Sequence, residues 1–153
     1  TSIDFPGNQN LFVHTVANCA HLVGKQITVV AFSGGSLDYS HIHAERGVGG
    51  LFWAGYPGQA GGLALANLIF GLVSPSGKLT TTIYPSSFVD EVTMTNMQMI
   101  ANRTTGSPGF TYKYYTQTPV YPFSWGLTYT NWTLVPLDMS RLPTSRNRVK
   151  SIL

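Results

Sequence analysis

Gln26-Ile27-Thr28-Val29-Val30-Ala31-Phe32 is an unbroken β-branched and aromatic run. It is short and does not alternate polar with apolar residues, which predicts a strand buried on both faces. Ser33-Gly34-Gly35-Ser36 supplies a turn at its carboxyl end. Upstream, Pro6 suits a first helical turn, and Leu11, Val13, Val16, Ala17, Ala20 and Val23 recur at mixed three-to-four spacing. Residues 6–22 therefore read as a helix, ended by Gly24. Downstream, Gly50-Leu51-Phe52-Trp53-Ala54 reads as a second short buried strand, and residues 59–70 as a helix whose small residues allow close approach to a sheet. After the turn signal Ser74-Pro75-Ser76-Gly77, Leu79-Thr80-Thr81-Thr82-Ile83-Tyr84 is a third strand candidate. Strands alternating with helices predict an α/β class: a layered α/β/α sandwich with a mostly parallel sheet, present as a partial domain.

Beyond Pro85 the texture changes. Residues 86–109 are polar with little periodicity, and an aromatic-rich arm follows: Phe110, Tyr112, Tyr114, Tyr115, Tyr121, Phe123, Trp125 and Tyr129. The alternation in Phe110-Thr111-Tyr112-Lys113-Tyr114 fits a strand or an extended arm. Such rings could stack on sugars, but their large apolar area favours packing against a neighbouring domain.

Only 10% of the 153 residues are charged while 43% are hydrophobic, against about 25% charged in ordinary domains. So little charge implies that part of the surface is covered by another domain, another chain or glycans. The net charge of +3 forms no basic stripe, so nucleic acid is not an expected partner. Arg141, Arg146, Arg148 and Lys150 sit together near the end and read as a solvated linker. Cys19 lies in the apolar-patterned helix and reads as a buried thiol. No apolar run reaches the about 18 residues of a membrane span. The chain opens on Thr1 rather than methionine and reads as processed or truncated. Two glycosylation sequons, Asn102-Arg103-Thr104 and Asn131-Trp132-Thr133, lie in polar, turn-like contexts and together favour a secretory route, to an extracellular or lysosome-like compartment.

Little in these residues carries chemistry by itself. The carboxylates are Asp4, Asp38, Glu45, Asp90, Glu91 and Asp138. No pair sits in an informative motif, although a glycosidase needs two of them about 5–10 Å apart. His41, His43 and Glu45 alternate and would share one face of an extended segment, as a zinc site requires. The segment from Asp38 to Arg46 reads instead as a solvated polar connector, so no metal is expected. Ser33-Gly34-Gly35-Ser36 and Gly47-Val48-Gly49-Gly50 lack the spacing or the position of phosphate loops, and tight turns are their expected role. No G-x-S-x-G elbow is present. No cofactor is implied.

Several segments, taken in order, resemble family 3 glycoside hydrolases. The strongest is Trp53-Ala54-Gly55-Tyr56-Pro57-Gly58-Gln59-Ala60-Gly61-Gly62, followed by Ala66-Asn67 and Phe70-Gly71. Ser74-Pro75-Ser76-Gly77-Lys78-Leu79, Pro6-Gly7-Asn8-Gln9, Ser33-Gly34-Gly35 with Leu37-Asp38, and Tyr121-Pro122-Phe123-Ser124-Trp125-Gly126-Leu127-Thr128-Tyr129-Thr130 extend the match over residues 1 to about 132. Met94, Met97, Met99 and Pro108-Gly109-Phe110-Thr111-Tyr112 make it most similar to the β-xylosidase/α-L-arabinofuranosidase branch. Ser124 stands where the family has glycine, Thr80 where it has proline, and Phe110 where the xylosidase-like members carry arginine.

The resemblance implies that residues 1–132 are the second part of the family's α/β sandwich domain. Residues 133–153 would be a basic linker towards a fibronectin-like domain. It also implies a retaining, exo-acting β-glycosidase whose aspartate nucleophile lies in a barrel domain outside this chain. The acid/base glutamate would lie just before Thr1, so no catalytic residue is expected here. The implied partners are the barrel and upstream sandwich segment of the same parent protein and a carbohydrate substrate. The rival readings are a β-glucosidase, a non-catalytic module of the same fold, and an unrelated nucleotide-binding α/β domain.

Overall fold

The computed structural model describes residues 2–133. The expected linker at 133–153 lies outside the described residues apart from Thr133, and so does Asp138. The elements run α1 (Gln9–Leu22), β1 (Ile27–Ala31), α2 (Ser40–Ala44), β2 (Val48–Trp53), α3 (Gly61–Ile69), α4 (Phe88–Glu91) and α5 (Thr111–Tyr114). β1 and β2 pair in parallel, Ile27 opposite Val48 and Ala31 opposite Trp53, with one register shift between Ile27 and Thr28. Among the described residues the sheet holds these two strands.

α1 begins three residues later than Pro6 suggests. Its end is the one expected. Gly24 takes φ +67°, and the Lys25 N–H donates to Ala20 O at 2.9 Å while the Gly24 N–H donates to His21 O at 3.0 Å. This left-handed closure satisfies carbonyls that the helix leaves open, and only glycine adopts it without strain. The chain then enters β1 directly, and α1 packs back on that strand.

The core gathers Ala31, Tyr39, Ile42 and Ile83, with Phe5, Val13, Val29 and Leu51 packed around it. Two of its members come from the segment read as a solvated connector. That reading is corrected: Asp38, Tyr39 and Ile42 are each 3% exposed or less, and residues 40–44 form α2. Tyr39 and Ile42 stand three apart, so one turn of helix carries both into the core. The helix also separates His41 from His43, which no longer share a face. His43 Nδ1 shares a 2.9 Å hydrogen bond with the Tyr121 hydroxyl, and His14 Nδ1 pairs with Glu45 Oε1 at 2.7 Å.

The third predicted strand does not join the sheet. Residues 79–84 pair instead with the aromatic arm: Ile83 forms an antiparallel bridge to Tyr121, its N–H donating to Tyr121 O at 2.9 Å, and the Leu79 N–H donates to Trp125 O at 2.8 Å. The arm itself is not a strand at residues 110–114, since Thr111–Tyr114 is a helical turn entered through Thr111 at φ +61°. Cys19 is exposed rather than buried. α1 is tightly covered on one side only, where the fully buried Ala17 meets Gly47. The run of residues 26–32 departs from its expected burial on both faces as well, because Thr28 in β1 and Phe32 just beyond it are exposed.

Candidate functional site

Parallel α/β sheets present their ligand-facing loops at the carboxyl ends of the strands. Here three segments converge at that edge: residues 33–38 after β1, residues 54–60 after β2, and residues 3–8 before α1. Ser33 is the hinge of the first. Its hydroxyl donates to Gly35 O at 2.9 Å, accepts the Trp53 indole N–H at 2.9 Å, and lies 3.4 Å from the Tyr39 hydroxyl. The loop after β1 is therefore tied to the last residue of β2. Tyr56, 80% exposed, lays its ring over Gly34 so closely that a Cβ there would meet Tyr56 Cε2 at 2.8 Å.

Asp38 holds the other end. Its Oδ1 accepts the Ser40 N–H at 2.8 Å and the Ser40 hydroxyl at 2.5 Å, and its Oδ2 accepts the Ser86 N–H at 2.7 Å. Burial alone would raise its pKa; the hydrogen bonds from Ser40 and Ser86 outweigh that and hold it below 3.8. The Asp38 N–H donates to Ile3 O at 2.8 Å, and Phe5 packs edge-on against Tyr39 with ring centroids 5.2 Å apart. Burial raises the Tyr39 pKa, with the Ser33 contact opposing it. Asp38 thus fixes three pieces of chain at this edge: its carboxylate holds the start of α2 and the segment after residue 85, and its backbone N–H holds the segment at Ile3.

His41 and His43 stand on different faces of α2, and Glu45 follows it. Among the described residues no group of three or more His, Cys, Asp or Glu could hold a metal ion. Asp4 accepts from Ser2 at 2.7 Å, Glu91 from Gln117 at 2.6 Å, and Glu45 faces His14. Gly47 lies in the turn before β2 as expected, while Gly49 and Gly50 fall within β2; a Cβ on Gly47 would lie 2.0 Å from Ala17 O, so its hydrogen also lets α1 settle on the sheet. The aromatic arm divides. Tyr84 stacks on Phe88 at 4.1 Å, with Phe110 and Tyr115 edge-on around Phe88, whereas Tyr112, Trp125 and Trp132 remain exposed. The sequon asparagines differ too. Asn102 Oδ1 accepts the Thr104 N–H at 2.9 Å and its amide donates to Gln98 at 2.9 Å, while Asn131 is exposed.

Residues 1–129 match the model of the glycosyl hydrolase family 3 C-terminal domain. The chain belongs to that family. It is 39% identical to an exo-1,4-β-xylosidase of Emericella nidulans over 100% of its own length and 20% of the relative's. It is 41% identical to a β-xylosidase/α-L-arabinofuranosidase of Medicago sativa over 86% of this chain and 16% of that one. Among solved structures, a family 3 exo-β-xylosidase in complex with a xylobiose aziridine probe superposes with a TM-score of 0.79 at 41% identity, covering 85% of this chain and 16% of that one. A β-D-glucoside glucohydrolase from Trichoderma reesei superposes with a TM-score of 0.66 at 33% identity, covering 84% and 18%. The chain spans a fifth or less of the relatives it matches, and this family 3 domain is one part of a larger architecture. The α/β sandwich expected from alternating strands and helices is the fold of that domain.

Proposed function

We propose that this domain belongs to a retaining, exo-acting β-xylosidase and holds the loop that delivers the acid/base carboxylate. The observation that carries the reading is the anchoring of residues 3–5, through Asp38 and Tyr39, at the carboxyl edge of the sheet. The chain immediately before Ile3 starts from a fixed point, and a carboxylate needs such positioning to sit about 5 Å from its partner across a glycosidic bond. The acid/base glutamate would precede Thr1 and the aspartate nucleophile would come from a barrel domain. The glutamate would first protonate the leaving oxygen and then activate water. Xylose as substrate is supported by the higher identity to xylosidases than to the glucohydrolase, 41% against 33%. A secreted enzyme glycosylated at Asn102 and Asn131 is supported by the exposure of Asn131 and by the turn at Asn102, in which the amide side chain already meets the Thr104 backbone.

Hydrolysis of nitrophenyl xyloside, glucoside and arabinofuranoside by the full-length parent protein tests the substrate. Xyloside should be cleaved fastest, with the β-configured sugar released first. Faster cleavage of the glucoside would make the protein a β-glucosidase, and no hydrolysis would leave a non-catalytic module. Amidase removal of N-glycans should lower the mass of the secreted protein by two glycans.

A further inference from the structure

A cleft of about 510 Å³ lies where the chain after Gly126 crosses the turn at residues 74–78. Thr128, Thr130 and Trp132 line it, whereas Tyr129 and Asn131 do not. Side chains of a non-helical segment alternate, so Tyr129 and Asn131 share the opposite face. Tyr129 is held at both ends. Its N–H donates to Ser74 Oγ at 3.0 Å, and its phenol donates to Leu68 O at 2.7 Å. The Thr128 hydroxyl accepts the Thr130 N–H at 3.1 Å, which fixes the chain between Tyr129 and Asn131. The Tyr129 ring nonetheless stays 55% exposed. Asn131 opens the sequon Asn131-Trp132-Thr133, so an immobilised, open ring stands two residues before its asparagine. The other sequon has no such ring, since Ile100 stands two residues before Asn102.

We propose that Tyr129 is the platform on which the first sugar of an N-glycan at Asn131, an N-acetylhexosamine, stacks. Residues two apart lie at most about 7 Å from each other. The first pyranose begins at the asparagine amide nitrogen, so it comes within contact distance of the phenol ring. The face of that ring is the negative side of its quadrupole. A pyranose offers a face of C–H bonds, its apolar and weakly positive side, and the two faces match. The hydrogen bonds to Leu68 and Ser74 order the ring before the sugar meets it, so little rotamer freedom is lost on contact. The sugar is also tethered covalently, and its high effective concentration populates a stack that would be weak for a free sugar. The inference rests on the reading of Asn131 as glycosylated and is independent of which sugar the parent cleaves.

Hydroxyl-radical labelling of the secreted full-length parent tests it, with the label located by peptide mass spectrometry. Wild-type protein is first trimmed by an endoglycosidase that leaves one sugar on each asparagine. In that form Tyr129 should be labelled at least about twofold more slowly than in Asn131→Gln, because the stack covers one of the two ring faces. Tyr112, itself 67% exposed, is the internal reference and should be labelled equally in both. Equal labelling of Tyr129 in the two proteins would overturn the inference. So would a ring equally protected in both, which would assign its cover to further polypeptide of the parent. Tyr129→Phe keeps the ring face and loses only the bond to Leu68, so the sugar should still slow labelling at position 129; no protection in a folded Y129F protein would also overturn the stack. If a variant is not secreted, wild-type protein deglycosylated by amidase after folding supplies the comparison. The mass of the peptide that carries Asn131 separates the two readings. An unmodified Asn131 refutes the glycosylation and the stack together; a modified Asn131 beside a freely labelled Tyr129 refutes the stack alone.

Discussion

Asp38 is the residue on which the carboxyl edge turns. Its carboxylate accepts two backbone N–H groups and one hydroxyl while 3% exposed. Asp38→Asn keeps the shape but replaces one accepting oxygen by a donor facing a donor, which leaves buried groups unpaired. A loss of about 1–3 kcal/mol is expected, measured as a shift of the denaturant midpoint with unaltered slope. Because the folded pKa lies below 3.8, the ionised form contributes its stability above pH 3.8 and loses it as pH falls through the folded value. Wild-type protein should therefore lose stability below about pH 4 more steeply than D38N, by chemical denaturation at a series of pH values. Ser124 presents the opposite case. It holds φ +68° where the family has glycine, and a non-glycine residue in that region carries about 1–2 kcal/mol of strain. Ser124→Gly should raise the melting temperature by a few degrees; a fall would mean that the serine side chain has an unrecognised partner.

At the level of elements, the contact between α1 and the turn into β2 decides how closely helix and sheet meet. A Cβ on Gly47 would meet backbone, not a flexible side chain, at 2.0 Å. Gly47→Ala should destabilise the protein by about 1–3 kcal/mol through displacement of α1, read by denaturation together with loss of near-ultraviolet dichroism from the Trp53 site. β1, β2, α1 and α3 were legible in the run of residues 26–32, in Gly50-Leu51-Phe52-Trp53-Ala54 and in the glycine that ends the first helix. α2 was not, because its five residues include two histidines and a serine, and the burial of Tyr39 and Ile42 depends on Asp38 capturing Ser40 and Ser86, 48 residues apart from its own position in the second case. Residues 79–84 have the β-branched composition of a strand, but composition does not choose a partner, and Leu79 and Ile83 give their backbone groups to the aromatic arm.

At the scale of the molecule, many large apolar side chains among the described residues stand exposed, Leu11, Phe12, Phe32, Leu63 and Phe70 among them. So many large apolar side chains left open point to faces that further polypeptide covers in the parent. The isolated chain should bind a hydrophobic dye strongly and self-associate, whereas the full parent should bind little of it; equal dye binding by both would mean that these faces stay open in the parent. The low charge content had already pointed to covered surface. It could not say which faces are covered, since exposure is a property of packing.

The amino-acid sequence by itself determined the α/β class, the sandwich resemblance over residues 1 to about 132, and the absence of a complete carboxylate pair in a recognisable motif, because each is written in local periodicity or in contiguous residues. Only the tertiary structure decided the role of Asp38 and the company kept by residues 79–84. Those depend on which distant backbone groups find each other, and hydrogen bonds between segments tens of residues apart leave no trace in either segment alone.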